Sequence, residues 1–308
     1  MGAWVRNPSL RSWPVLLFLL LVAIPPVALV VFYNNPGKST FDEAAWILAA
    51  YFALGWLLLI GVIVRPAGIS VLLLNVVVVM ALITQIPLAI TLEKVLHSGS
   101  SNVFISVGTI GVPEELAKAI PIIVIAVIAR RRLVPADYLF LGAVSGLVFG
   151  ASEAEHYITS GVGIGPNATA DLVATLSYVW RFPTDPIQHA CWAGITGYFI
   201  GLAVSGRYKW WQVCWVGLVI ASVLHGLNDW DTLNGHYDWV VVIVLSGLLF
   251  LTYAKADAPA VAAKGGDAGP ASAPRPRQGP AGTLPATYDD DIQAELDAIR
   301  KLLPGQSD

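Results

Sequence analysis

Eight stretches of this chain are apolar for long enough to cross a bilayer, and that pattern leaves few folds open. They fall at about residues 14–32, 44–64, 69–91, 112–129, 138–158, 186–204, 210–230 and 239–253, the last being short. Each is read as a spanning helix. The expected fold is therefore all-α: a polytopic transmembrane bundle of about eight helices. Composition points the same way, with 56% hydrophobic and 13% charged residues, where soluble domains carry about 25% charged. Trp180, Trp210, Trp211, Trp230 and Trp239 sit near apolar-segment ends, as interfacial belts require. The first run follows Arg6 and Arg11 and lacks a small-residue cleavage site, so it reads as an anchor helix. The bilayer is the expected surrounding, and a net charge of −3 gives no reason to expect nucleic acid. Cys191 and Cys214 lack metal-ligand spacing and read as small core residues.

Basic residues set the expected orientation. With the N-terminus in the cytoplasm, the inner side receives Arg6, Arg11, Arg65, Arg130, Arg131, Arg132, Arg207, Lys209 and Lys255, and the outer side only Lys38, Lys94 and Arg181. Both termini are then cytoplasmic, in a multi-pass protein of the cell membrane. Residues 1–255 form the membrane domain. Residues 256–286, rich in Ala, Pro and Gly, read as a disordered linker. Residues 287–308 end the chain as a short amphipathic helix and tail, with Ile292, Leu296, Ile299 and Leu303 on one stripe. That tail suits a cytoplasmic partner. A second short amphipathic helix is expected at about 171–180, inside the longest connection.

Ionisable groups within spanning segments are expensive and functional by default. Glu114, Glu115 and Lys118 open the fourth run, behind Pro113. Carboxylates there could simply meet the positive end of a helix dipole. Glu153, however, lies near the end of the fifth run, His189 near the start of the sixth, and His225 near the end of the seventh. In an alternating topology Glu115, Glu153, His189 and His225 all sit roughly 5–8 Å below the outer boundary. Two neutral imidazoles and a carboxylate are a ligand set for catalytic zinc, which makes Glu153, His189 and His225 the expected metal ligands. A second carboxylate takes a proton from water and passes it to a leaving amine. Adjacent glutamates diverge by about 100° on a helix, so they divide roles. Glu115 is favoured as the base, and Glu114 as the partner of Lys118. Asp229 shares a face with His225 and could orient its ring.

At these residues the chain resembles the PrsW family of intramembrane proteases, within the superfamily of CAAX prenyl endopeptidases and bacteriocin-processing enzymes. Glu114-Glu115-Leu116-Ala117-Lys118 is similar to the family's Glu-Glu-x-x-Lys, and Phe149-x-x-x-Glu153 to its Phe-x-x-x-Glu. The stretch from His189 to Gly197 looks like the third motif. His225-Gly226-Leu227-Asn228-Asp229 looks like the fourth, usually His-x-x-x-Asn, with Asp229 at the Asn position and Asn228 one residue early. The resemblance spans about residues 112–230. It implies hydrolysis of a membrane-anchored, single-span substrate, in the namesake an anti-sigma factor cut on its extracytoplasmic side. The same four residues serve a zinc-bound water or a glutamate-activated water with histidines as oxyanion donors. Two other classes use such groups: a proton- or ion-coupled transporter, and a non-catalytic membrane scaffold of the same fold. Transport requires a polar route into the inner leaflet, where Asn75 is the main polar residue expected.

Overall fold

In a computed structural model of the chain, residues 38–128, 133–161, 180–206, 208–234 and 239–256 are described, and every regular element among them is helical. The run at 14–32, the helix expected at 171–180 and the chain beyond residue 256 lie outside the described residues. The other seven apolar runs each form one helix: α1 (Lys38–Val64), α2 (Val71–Leu96), α3 (Val112–Ile128), α4 (Pro135–Gly161), α5 (Arg181–Val204), α6 (Trp210–Asp229) and α7 (Trp239–Ala256). A single turn, Val103–Ser106, and a π-helical turn, Val107–Gly111, lead directly into α3. Ser70 starts α2 by accepting a hydrogen bond from the Leu73 N–H at 3.2 Å, and His97 closes it in the left-handed conformation (φ 54°).

Four of these helices, α1, α2, α4 and α6, are long and apolar enough to cross a membrane, and α7 is a shorter apolar helix. The protein is thus a multi-pass membrane protein. Two runs read as spans look different once folded. α3 carries three charged groups in its first two turns. α5 begins at Arg181, before the apolar run, and so takes in Asp185 as well as His189. Both helices turn these polar side chains, Glu114, Glu115 and Lys118 on α3 and Asp185 and His189 on α5, towards protein.

α4 is the central helix: 89% of its spanning window is buried, against 28% for α1, 17% for α2 and 33% for α6. Its glycines allow this. A Cβ on Gly146 would lie 2.1 Å from the His189 carbonyl oxygen, and one on Gly142 2.3 Å from that of Ala193. Side chains at those positions would push α4 and α5 apart. Gly150 meets Asp185 and Gly197 meets Tyr138, so numbers fall along α4 as they rise along α5 and the two run antiparallel. α6 is antiparallel to α5 in turn, with Gly217 against Ile195 and His225 against Trp192. This brings the start of α3, the end of α4, the start of α5 and the end of α6 to one end of the bundle.

The opposite end closes differently. Asp137, fully buried at the start of α4, accepts from the N–H groups of Ala67 (2.9 Å), Gly68 (3.1 Å) and Val134 (3.1 Å). Those bonds satisfy the carboxylate and pin the α1–α2 turn. Between the two ends lies an apolar layer that includes Ile60, Val77, Ile122, Ile125, Leu141 and Leu147.

Candidate functional site

The π turn before α3 packs backbone to backbone with α6. A Cβ on Gly111 would sit 2.3 Å from Ser222 O, and one on Gly226 2.4 Å from the Cα of Val107. The Ser106 hydroxyl donates to Gly226 O at 2.7 Å. π turns interrupt helices at functional positions, and this one delivers the first turns of α3 against α6. Glu114, Glu115 and Lys118 are consequently all buried, at 6%, 0% and 0% exposure. The adjacent glutamates diverge, yet both remain inside because neighbouring helices enclose this end of α3.

Lys118 is the hub. Its Nζ donates to Glu115 Oε1 at 2.7 Å and lies 2.6 Å from His189 Nδ1, 3.4 Å from His225 Nδ1 and 3.5 Å from Glu114 Oε2. The face of Phe149 lies 4.3 Å from Nζ, an arrangement that favours a cation. Its own carbonyl is held too: the Ser145 hydroxyl donates to Lys118 O at 2.7 Å and accepts from Gln85 Nε2 on α2. The sequence favoured Glu114 as the partner of Lys118; the closer partner in the fold is Glu115.

The imidazoles are fixed from both sides. His225 Nδ1 lies 3.0 Å from Glu115 Oε1, while its Nε2 lies 3.4 Å from Glu114 Oε2 and 3.2 Å from Asp229 Oδ2. Asn228 donates to Asp229 Oδ1 at 3.1 Å. His189 Nε2 lies 2.6 Å from Glu153 Oε2. Trp192 stacks on His225 at 4.5 Å and meets the edge of His189 at 5.1 Å; its Nε1 donates to Ser246 Oγ at 2.8 Å. The His189 and His225 rings are 5.0 Å apart. Glu114, Glu115, Lys118, Glu153, His189, His225 and Asp229 thus form one continuous cluster, with Asn228 at its edge.

Glu114, His189 and His225 each offer a ligand atom, and those atoms lie within 4.8 Å of one another. Tetrahedral zinc, with bonds of about 2.0–2.1 Å, places neighbouring ligand atoms roughly 3.3 Å apart; Glu114 Oε2 and His225 Nε2 match that edge. Glu114 Oε2 is buried, and its neighbours His225 Nε2 at 3.4 Å and Lys118 Nζ at 3.5 Å both lie beyond a short charge-assisted bond. The residues present fit a divalent metal. In this group Glu114 stands where the sequence suggested Glu153. Glu153 lies at hydrogen-bond distance from His189, too close for the two atoms to be neighbouring ligands of one ion.

Several members were invisible as single residues. Glu93 of α2 lies within electrostatic reach of Glu114, Glu153, His225 and Asp229. At the rim Arg181 pairs with Asp185 at 2.9 Å and covers the Tyr157 ring at 3.7 Å. Trp192 was legible only as the residue one helical turn beyond His189. Nothing local marks Glu93, since its run looks like any membrane helix nearing the interface.

A helical bundle that gathers carboxylates, imidazoles and an ammonium at one end of its spanning helices has the makings of a membrane-embedded hydrolase. Residues 43–254 match the family model described as PrsW family intramembrane metalloprotease. The chain belongs to that family and is an intramembrane endopeptidase. No curated protein and no solved structure matches it.

Proposed function

We propose that the cluster hydrolyses a peptide bond in a single-span membrane protein, on or near the extracytoplasmic side. An anti-sigma-factor-like protein is the expected kind of substrate. The observation that carries this is the Glu114–His225 edge of 3.4 Å, with Glu115 at the far nitrogen of the same ring. A carboxylate on the second nitrogen of a ligating histidine fixes its tautomer and direction. Glu114, His189 and His225 would hold the ion, with zinc as the favoured identity. When bound, zinc supplies Lewis acidity and makes water a nucleophile near neutral pH.

The remaining residues orient groups and move protons. Lys118 binds Glu115 and His189 together, so the two histidine-bearing helices and α3 share one anchor. Both donors to Glu115 fall on the same oxygen, Oε1, and the side chain is fully buried. It therefore acts as an orienting anion. Glu153, with 17% of its side chain exposed, is the better-placed base. It accepts a proton as the water oxygen attacks the substrate carbonyl carbon, then returns it to the amine nitrogen as the C–N bond breaks. The apolar layer below the site speaks against a transport path. The tail after residue 256 is assigned to a cytoplasmic partner rather than to chemistry.

The test is to incubate purified protein with a panel of single-span proteins, with and without chelator, beside Glu114→Gln. Cleavage of at least one substrate, lost with chelator and reduced at least ~100-fold in Glu114→Gln, is expected. Equal cleavage by Glu114→Gln and wild type would exclude the assigned ligand.

A further inference from the structure

α2 lies outside the segment carrying the motif-like residues, and only 17% of its spanning window is buried. Its buried residues fall on one stripe: Val77, Ala81, Gln85 and Ala89, every fourth residue. Gln85 is the polar member of that stripe and is fully buried. A leucine or methionine would fill the same place without an amide to desolvate, so packing alone does not call for it. Gln85 bonds to Ser145, fully buried within α4, and the Ser145 hydroxyl donates to Lys118 O at 2.7 Å. Proton counting fixes the direction of this relay. A serine has one O–H, and here it is committed to the carbonyl, so Ser145 Oγ accepts from Gln85 Nε2.

From this geometry we infer that Ser145 and Gln85 are positioning residues of the centre: through Lys118 O they set where Lys118 Nζ meets His189. The inference deepens the proposed function and rests on the anchoring role given there to Lys118. Pro121 has no N–H to offer Ala117 O one turn back, so α3 loses a backbone bond right beside Lys118. Membrane helices tolerate such a proline where a neighbouring hydroxyl satisfies the freed backbone. Ser145 brings its hydroxyl to the very next carbonyl. Ser145 and Gly146 are also adjacent on α4. The first holds the carbonyl of Lys118, and the second lies against the carbonyl of His189, where a Cβ would be 2.1 Å away. The side chains of those same two residues meet in the site, with Nζ 2.6 Å from Nδ1. Two neighbouring positions of one helix therefore set the spacing of α3 and α5 where their polar groups touch. Gln85 completes the device by holding the serine outward. A serine in a helix otherwise turns its hydroxyl back onto its own backbone, as Ser152 does on α4 with Val148 O at 2.9 Å.

The experiment uses the full-length protein in lipid nanodiscs, comparing Ser145→Ala, Ser145→Thr, Gln85→Met and the double variant Gln85→Met/Ser145→Ala. Each is assayed for cleavage of a single-span protein and for stability. The nitrogen NMR signal of Lys118 Nζ is recorded in lysine-labelled protein and assigned by its loss in Lys118→Arg. Ser145→Ala should shift that signal and lower kcat at least ~10-fold with little change in KM, as small displacements of a site group do. Gln85→Met should act in the same direction and less strongly. Ser145→Thr keeps the hydroxyl and should recover most of the rate lost in Ser145→Ala. The double variant should be no slower than Ser145→Ala, because both residues act on one oxygen. It also exchanges both bonded partners for apolar groups, so its stability should stay near that of wild type while its kcat stays low. Wild-type kcat in Ser145→Ala would overturn the inference. So would additive losses in the double variant, or a kcat that returns to the wild-type value wherever stability does. Should Ser145→Ala fail to fold, Gln85→Met decides alone, and wild-type kcat with an unmoved Lys118 signal would overturn the inference. A wild type that cleaves nothing, yet shows the shifted signal in Ser145→Ala and Gln85→Met, would sink the proposed function and leave the positioning standing.

Discussion

Lys118 shows what a buried charge does in this protein. Its ammonium is fully enclosed and is satisfied by Glu115 and His189 together. Removing one partner of a buried ion pair leaves the other uncompensated, at a cost of about 3–5 kcal/mol. Lys118→Met should therefore destabilise the protein by about that amount in detergent unfolding experiments, and Glu115→Gln added to it should recover part of the loss. A double variant less stable than Lys118→Met would mean that the pair is not the source. Trp192 offers a finer probe. Trp192→Phe keeps a ring on His225 but loses the bond to Ser246, costing about 1 kcal/mol. Trp192→Ala also removes the stack and should cost about 3–5 kcal/mol with a fall in turnover, read from thermal melts and kinetics side by side. At this scale the sequence disclosed residue types and depth but not pairings. Which oxygen faces which nitrogen depends on helix rotations of a few tens of degrees, set by contacts far along the chain.

Among the elements, the α4–α5 pair carries the site. Gly146 lies opposite the carbonyl of His189 itself, so the closeness of the two helices sets the position of that imidazole. Gly146→Ala should separate the helices, cost about 1–3 kcal/mol and lower cleavage, as overpacking does. Gly247→Ala in α7 is the control, since a Cβ there meets nothing within 4 Å. It should be neutral or stabilising by up to about 1 kcal/mol. Equal effects from the two, measured by unfolding and by cleavage rate, would remove the backbone contact as the explanation. The π turn at Val107–Gly111 had no sequence signature. Its residues, Val-Gly-Thr-Ile-Gly, are uncharged and ordinary for a membrane helix, and the shifted hydrogen bonding accompanies close contacts between Gly111 and Ser222 and between Val107 and Gly226.

For the whole molecule, the expected orientation rests on charges independent of the site. With Arg130–Arg132 in the cytoplasm, Glu114 and Glu115 lie near the outer surface. Single cysteines in the 130–132 and 161–169 connections, labelled in intact cells with an impermeant thiol reagent, should react only in the second. The reverse pattern would turn the site to the cytoplasm. Deleting the chain after Lys255 should leave the cleavage rate unchanged and alter regulation at most. A large loss of rate in that truncation would bring the tail into the chemistry.

Membrane insertion and an all-helical fold were written in the apolar runs, because lipid rewards nothing else over such lengths. The charged residues within those runs were equally legible, since their cost in hydrocarbon singles them out one by one. A shared depth for Glu115, Glu153, His189 and His225 followed from counting residues along alternating helices. Which of the adjacent glutamates faces which nitrogen of His225 did not. Glu114 and Glu115 differ by one position and 100° of rotation. Packing of the π turn on α6 turned the first towards His225 Nε2 and the second towards Lys118 and His225 Nδ1. Gln85 is the same case at longer range. Its place behind Lys118 comes from the stripe that seats α2 on the bundle, a contact between distant segments that no local pattern encodes.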